Sequence, residues 1–524
     1  MSQTNKNEII NIPLAEFKSK MEDLRKEGYD YLRSLTGMDW GEEGLGVVYH
    51  LEKTSTSENI VVKTLTQDRE SPNIPTVSDI WKGADFNERE AFDYLGIQFV
   101  GHKDMRRLFL RDDWVGYPLR KDYDESQNPL RMENEDTKDV TLNYEEQSDG
   151  SIKEETKIIF EDDEYIINIG PQHPATHGVL RFRVSLEGEI IKKLDVHCGY
   201  IHRGIEKMCE SLTYPQTLAL TDRLDYLGAH QNRHALCMCI EKAMGIEVSE
   251  RVQYIRTIMD ELQRIDSHLL FFSCLCMDMG ALTAFFYGFR DREKILDIFE
   301  ATTGGRLIQN YNVIGGVQAD IAPDFVPKVK EFIAYMRPLL DKEYHKLFTG
   351  NIIAQGRLKG VGVLTKEDAI SFGATGGTGR ASGWACDVRK RHPYAAYDKV
   401  QFKEIVRTEG DAFARYMLRM DEILESLNII EQLIDNIPEG EYKQKLKPII
   451  KIPEGSYYSA VEGSRGEFGV FIESKGDKYP YRLKFRATGL PLVSAMETIC
   501  KGAKIADLIA IGGTVDYVVP DIDR

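Results

Sequence analysis

Apolar positions recur in several rhythms along this chain. In "LAEFKSKMEDLRKEGYDYL" (14–32) and "ADFNEREAFDYLGIQF" (84–99) the spacing is helical, and Gly96 is placed to close the second helix. "LGVVYHLEK" (45–53) and "NIVVKTL" (59–65) have the apolar, β-branched character of a strand pair. This mixture predicts an α+β domain, sandwich-like, over residues 1–125. Over 126–163 the apolar period fades and acidic residues dominate, as in "NYEEQSDGSIKEE", which predicts a solvated linker holding one short strand pair. Beyond it, "VLRFRVSLEGEIIKKLDV" (179–196) alternates strictly. Leu180, Phe182, Val184 and Leu186 face one way, Arg181, Arg183, Ser185 and Glu187 the other, and Glu187-Gly188 supplies the turn. The rhythm then becomes helical. "SERVQYIRTIMDELQRIDSHLL" sets Val252, Ile255, Ile258, Met259, Leu262, Ile265 and Leu269 on one stripe, with Ser249 as N-cap. Residues 164–524 therefore predict a small β-sheet leading into a mainly α-helical body.

The length of 524 residues is too great for one core. A net charge of −17 argues against nucleic-acid binding. The amino-terminal "MSQTNKNEII" lacks the apolar core of a signal peptide, and the eight cysteines show no disulfide framework, so a reducing compartment is expected. "LLFFSCLCMDMGALTAFFYGF" (269–289) is about long enough to span a bilayer. The expectation is instead a buried helix, or a helix and a turn at Met279-Gly280. Its only charge, Asp278, needs a partner or must be neutral.

"NIGPQHPATHGVLRF" (168–182) places His173 and His177 four positions apart, a metal-pair spacing on a helix. Glycine and proline on both sides indicate a loop, which removes that geometry and leaves each histidine either shaping the turn or presented to a ligand. Cys237 and Cys239, like Cys274 and Cys276, are C-x-C pairs in helical sequence whose thiols diverge, so core packing is expected. No C-x-x-C occurs, and no metal or cluster site is expected of this chain alone. "GATGGTGRASG" (373–383) and "VIGGV" (313–317) lack a nucleotide-binding setting and read as loops where backbones approach closely. In "TDRLDYLGAHQNRH", Arg223, Asp225, Tyr226, His230 and Arg233 form either a buried network or a solvated helix start.

Several long motifs carry a resemblance. "GPQHPATHGVLR", "GYIHRGIEK", "TYPQTLALTDRLDY", "SAVEGSRGEFGVFI" and the terminal "DIDR" resemble the D subunit of respiratory complex I, the proton-translocating NADH:quinone oxidoreductase. "EREAFDYLGIQFVGH" and "GYPLRKDY" resemble its C subunit, so the chain resembles a fused C/D subunit. The wider group includes the large subunit of nickel–iron hydrogenases, which hold their metals with two C-x-x-C pairs. Here Asp225 and Gly228, and Val518 and Asp521, stand in those slots. Without soft thiolate ligands that metal pair has no site.

The resemblance implies a quinone-reducing subunit of the peripheral arm, on the cytoplasmic face of the bacterial inner membrane. It implies B and I subunits and the membrane H subunit as partners, an iron–sulfur cluster held by B, and ubiquinone or menaquinone as substrate. The family's quinone ligands fall on His177 and Tyr226, and the acidic partner of that histidine on Asp278. Arg203 of "HRG" is expected near the cluster, its alternative being an ion pair with Glu206 or another nearby acid. His173 is left to shape the loop. In "GRLIQNYNVIGGV", Ile308 stands where many relatives have histidine and Val313-Ile314 where they have Arg-Pro, which implies a cluster of weaker pH dependence. A purely bracing role is the other reading of the chain. For the C-type domain it is the expected one, because its motifs contain no catalytic grouping.

Overall fold

The computed structural model describes residues 9–128, 140–161 and 163–524. The first eight residues and the centre of the acidic linker, on which two of the sequence expectations rest, lie outside the described residues.

The first sheet runs in the order Ile9–Asn11, Asn59–Thr66, Leu45–Glu52, Tyr31–Asp39. The expected pair is antiparallel, with Leu45 opposite Thr66 and Glu52 opposite Asn59. Helix α1 (Leu14–Lys26) ends earlier than its apolar spacing suggests: the chain turns at Gly28, and Tyr31 and Leu32 begin a strand. Helix α2 (Ala84–Leu95) stops at Gly96, whose φ of 73° suits glycine. The acidic segment contains a hairpin, Val140–Glu146 with Ile152–Ile158. It is tied back to the first domain by Gly101 N–H to Tyr144 O and Met105 N–H to Leu142 O.

Strands Arg181–Glu187 and Ile190–His197 form the second hairpin, and Tyr165–Ile169 adds a third strand. Both faces of Arg181–Glu187 are covered, because Arg183 and Ser185 are buried along with Phe182 and Val184. The alternation was legible; burial of its polar face was not. Helices α3 (Ala229–Met244), α4 (Glu250–Asp278) and α5 (Leu282–Thr303) follow. The Ser249 hydroxyl caps α4 by accepting from Val252 N–H. The long apolar stretch is broken at Met279-Gly280, and no helix among the described residues is long and apolar enough to cross a membrane. Helix α6 (Ala412–Ile434) packs along α4. A three-stranded sheet (Gly455–Gly463, Gly466–Ser474, Arg482–Arg486), helix α7 (Ile505–Val515) and a short helix, Val519–Asp523, complete the fold.

The two parts share a core. Phe17, Tyr31, Trp81 and Phe92 belong to one apolar cluster with Leu490, Val493 and Val519. Arg33 donates to Glu467 at 2.5 Å, and Glu90 of α2 pairs with Lys484 and with the terminal Arg524. The first glycine run is not wholly a loop, since Gly376–Ala381 is helical, but the expected close approach is real: a Cβ on Gly376 would lie 2.3 Å from Arg465 O.

Candidate functional site

Residues 171–178 are a loop, as the flanking glycines and prolines require. His173 caps a single turn at Pro174–Thr176, its Nδ1 accepting from Ala175 N–H at 3.1 Å. Thr176 Oγ1 lies 2.7 Å from His173 O and 2.8 Å from Gly178 O. The turn ends with His177 at φ 52°, a conformation uncommon outside glycine and asparagine. Gly178 rests on Val519, where a Cβ would come within 2.6 Å of the valine side chain.

His177 Nε2 and Asp278 Oδ2 are 2.7 Å apart. Asp278 is the last residue of α4, at the negative end of the helix dipole, where a carboxylate is disfavoured unless a donor meets it. Burial alone would push the His177 imidazole below its ordinary pKa. The Asp278 hydrogen bond and charge more than offset this, aided by Asp516, and the group sits above the ordinary value. The pair keeps limited access to solvent, with side-chain exposures of 20% for His177 and 7% for Asp278.

Tyr226 is half-buried in the segment between Thr221 and α3. Burial raises its phenol pKa, the Arg465 charge opposes that, and Asp225, Cys274 and Asp516 reinforce it. Arg465 and Asp516 also act on His177, and Cys274 feels both Asp278 and Asp516. Arg465 joins Asp225, next to Tyr226, to Asp516, which lies just beyond the Gly513 that approaches the His177–Asp278 pair, so distant segments bring a histidine, a carboxylate and a phenol around one charged centre. Asp225, His230 and Arg233 are buried while Arg223 is exposed, so the start of α3 is not solvated, yet these residues do not form one network: Asp225 pairs with Arg465, Arg233 donates to Leu218 O and Asn310, and the His230 ring nitrogens meet no hydrogen-bond partner.

Helix α7 closes this centre. A Cβ on Gly513 would lie 3.1 Å from Asp278 Oδ2 and 3.7 Å from His177 Cε1. Gly513→Ala suits a helix but must displace the carboxylate, so any turnover that depends on the pair should fall about tenfold, with normal assembly. Measuring both in membranes checks this; unchanged turnover would mean the pair tolerates the methyl.

Sequence reasoning missed two features. Cys237, Cys239 and Cys276 pack in cores as expected, but Cys274 is half-buried and belongs to the charged centre. It stands one helical turn before Asp278, which puts both on one face of α4. The first domain also reaches inward: Tyr94 and Phe109 stack on His202, beside Arg203, at ring distances of 5.6 Å. Arg203 is exposed, with its guanidinium 3.4 Å from Arg223 O. Glu206 is not its partner, being occupied by Arg482, Lys484 and Arg524. Asp225 is engaged by Arg465, and Asp521 accepts from Thr488 Oγ1 and Gly489 N–H at 2.8 Å. Among the described residues no three His, Cys, Asp or Glu side chains are grouped to hold a metal ion.

Comparison with known proteins gives the same two-part picture. Residues 10–129 match the family described as respiratory-chain NADH dehydrogenase, 30 Kd subunit. Residues 278–451 and 445–524 match respiratory-chain NADH dehydrogenase, 49 Kd subunit. The C/D subunit of NADH-quinone oxidoreductase from Phocaeicola vulgatus is 82% identical over 519 residues, covering 99% of this chain and all of that protein. A second C/D subunit of that oxidoreductase, from Aquifex aeolicus, is 38% identical over 547 residues, 95% of this chain and 92% of the relative. The D subunit from Desulfotalea psychrophila is 46% identical over 368 residues, 70% of this chain and 99% of that protein.

Proposed function

This chain belongs to the family of fused NADH-quinone oxidoreductase C/D subunits of respiratory complex I, and we propose that His177, Tyr226 and Asp278 form its quinone-reducing site. The observation that carries the reading is the 2.7 Å contact of His177 with Asp278 at a centre shared with Tyr226.

A quinone takes up two electrons and two protons through two carbonyl oxygens. A tyrosine O–H and a histidine N–H each donate to one of them and favour the reduced, more basic oxygens. Tyr226, raised above its ordinary pKa, stays protonated until the headgroup demands its proton. His177 is held by Asp278 in the form that carries a proton and can pass it on near neutral pH. Loss and recovery of these protons then bias the conformational change that drives proton translocation elsewhere in the complex.

Electrons reach this site from an iron–sulfur cluster on a B subunit. We assign the exposed Arg203, next to the His202 that stacks on Tyr94, as the cation that faces it. The I subunit and the membrane H subunit supply the remaining contacts at the cytoplasmic face of the membrane. Exposed Leu282, Phe286, Ile352 and Ile353 give apolar surface suited to such partners.

Tyr226→Phe tests the reading. Short-chain quinone reduction by membranes should fall about tenfold or show a raised KM while the adjacent cluster still fills with electrons. Wild-type turnover and KM together would remove Tyr226 from the site and leave this chain a scaffold.

A further inference from the structure

We infer that Arg465 is a positioning residue for quinone reduction, a fixed cation locked between Asp225 and Asp516 that governs proton release from Tyr226 and His177 alike. The inference rests on the assignment of the headgroup site to those two residues.

The geometry leaves Arg465 no freedom. It occupies the turn between strands Gly455–Gly463 and Gly466–Ser474, with Gly463 paired to Gly466. Ser464 N–H and Oγ both donate to Gln231, at 2.9 and 3.0 Å, and Arg465 O closes on Gly376. The guanidinium Nη1 donates to Asp225 at 2.9 Å and to Ser267 Oγ at 3.0 Å, and Nη2 to Asp516 at 3.2 Å. Each partner belongs to a segment that delivers the site. Asp225 precedes Tyr226, Ser267 lies on α4 upstream of Asp278, and Asp516 follows α7, whose Gly513 touches the His177–Asp278 pair.

The carboxylates around it outnumber the cations. Arg465 and Arg419, whose Nε is 3.3 Å from Asp516, stand against Asp225 and Asp516. Asp521 adds its negative charge on the Asp225 side. Asp266 on α4 is matched by Arg292 at 2.9 Å, and the Cys274 thiol faces the same centre. His177 itself meets Asp278, Asp516 and Arg465. Without Arg465, both donors would face a larger excess of negative charge. A negative field holds a phenol proton and an imidazolium proton more tightly, so delivery to the reduced headgroup slows and the imidazolium persists to higher pH.

The experiment is the pH dependence of short-chain quinone reduction in membranes carrying the assembled complex. Arg465→Gln should lower kcat about tenfold and move the alkaline limb up by about one pH unit. Arg465→Lys, which keeps the charge and loses the fork, should leave the limb close to wild type. Asp516→Asn should move it down, and asparagine tolerates the left-handed φ of 63° found there. That variant carries the test by itself if Arg465→Gln fails to assemble. A limb unmoved by both Gln and Asn, or moved as far by Lys as by Gln, overturns the inference and leaves Arg465 a packing residue. Tyr226→Phe, run alongside, separates the two levels. If it is silent, the site assignment fails; if it acts while the limb stays put in the charge variants, only the role of Arg465 fails.

Discussion

Asp278→Asn lowers quinone reduction at neutral pH on the order of 10²-fold and moves the alkaline limb of the pH profile down. Asparagine has the shape of aspartate and its Oδ1 can still accept from His177 Nε2, so the imidazole keeps its orientation. The charge is what disappears. Burial is then the dominant influence on His177, and it pushes the imidazole below its ordinary pKa. At pH 7 the imidazolium becomes scarcer, and once it is the minor form each further unit of downward shift removes about a factor of ten of it. Tyr226 is untouched, so the residual rate reports one donor working alone. Stability follows the same linkage. His177 is raised in the folded chain, so its contribution is complete below the unfolded imidazole pKa and is lost as pH rises through the folded value. The wild type should therefore resist heat better than the variant in mild acid, and the advantage should vanish in alkali. Rates and heat inactivation across pH check both halves. Wild-type turnover with an unmoved limb would mean that Asp278 does not set the state of His177.

Much of the scaffold was legible because its signals are local. The strand pair at 45–65, the Gly96 stop, the Ser249 cap and the break at Met279-Gly280 each follow from residues a few positions apart. Gly28 shows the limit: apolar spacing ran on past the point where the chain turned into a strand. Of the site, local signals revealed the loop around His177 and the need of Asp278 for a partner. The pairing itself spans 101 positions, which no periodicity encodes. Family motifs had to supply it. The Arg465 centre was hidden for the same reason, because its carboxylates come from positions 225 and 516. Cys274 was misplaced since a C-x-C pair on a helix shows that the thiols diverge, not which one meets the core. Helix α4 held the deepest surprise. Its apolar stripe was plain, yet Asp260, Glu261, Arg264, Asp266 and His268 on the other faces are buried as fully as the stripe. In a body of stacked helices a polar face can be internal if every charge finds a partner there.

Those partners yield the largest expected effect on stability. Arg380→Met should cost about 3–5 kcal/mol and sharply reduce the amount of assembled chain. Arg380 is 1% exposed and donates to Glu462 at 2.6 Å and to Glu422 at 2.5 Å. Glu422 also meets His268 of α4 at 3.1 Å and lies 3.6 Å from Arg389, which itself holds Glu261 at 3.0 Å. The pairs do not stabilise merely by existing, since taking each ion out of water cancels much of their attraction; removing one member leaves charge buried and unpaired. Burial raises Glu462 toward its neutral form, so it can escape by taking a proton. Burial would also raise Glu422, but Arg380 and His268 hold it well below the usual carboxylate range. A depressed carboxylate contributes its stability above the unfolded pKa and loses it on acidification. The deficit of Arg380→Met should therefore be greatest at neutral and alkaline pH and narrow in acid. Adding Glu462→Gln should recover part of the loss, by less than simple addition because the groups touch. Chain abundance in membranes and the midpoint of heat inactivation, each measured across pH, decide the matter. If Arg380→Met accumulates and survives heating like the wild type, the network does not hold α4 in place. If it fails as expected, the same charges that fix α4 against α6 also fix Asp278 at its end, and partial rescue should restore quinone reduction together with stability.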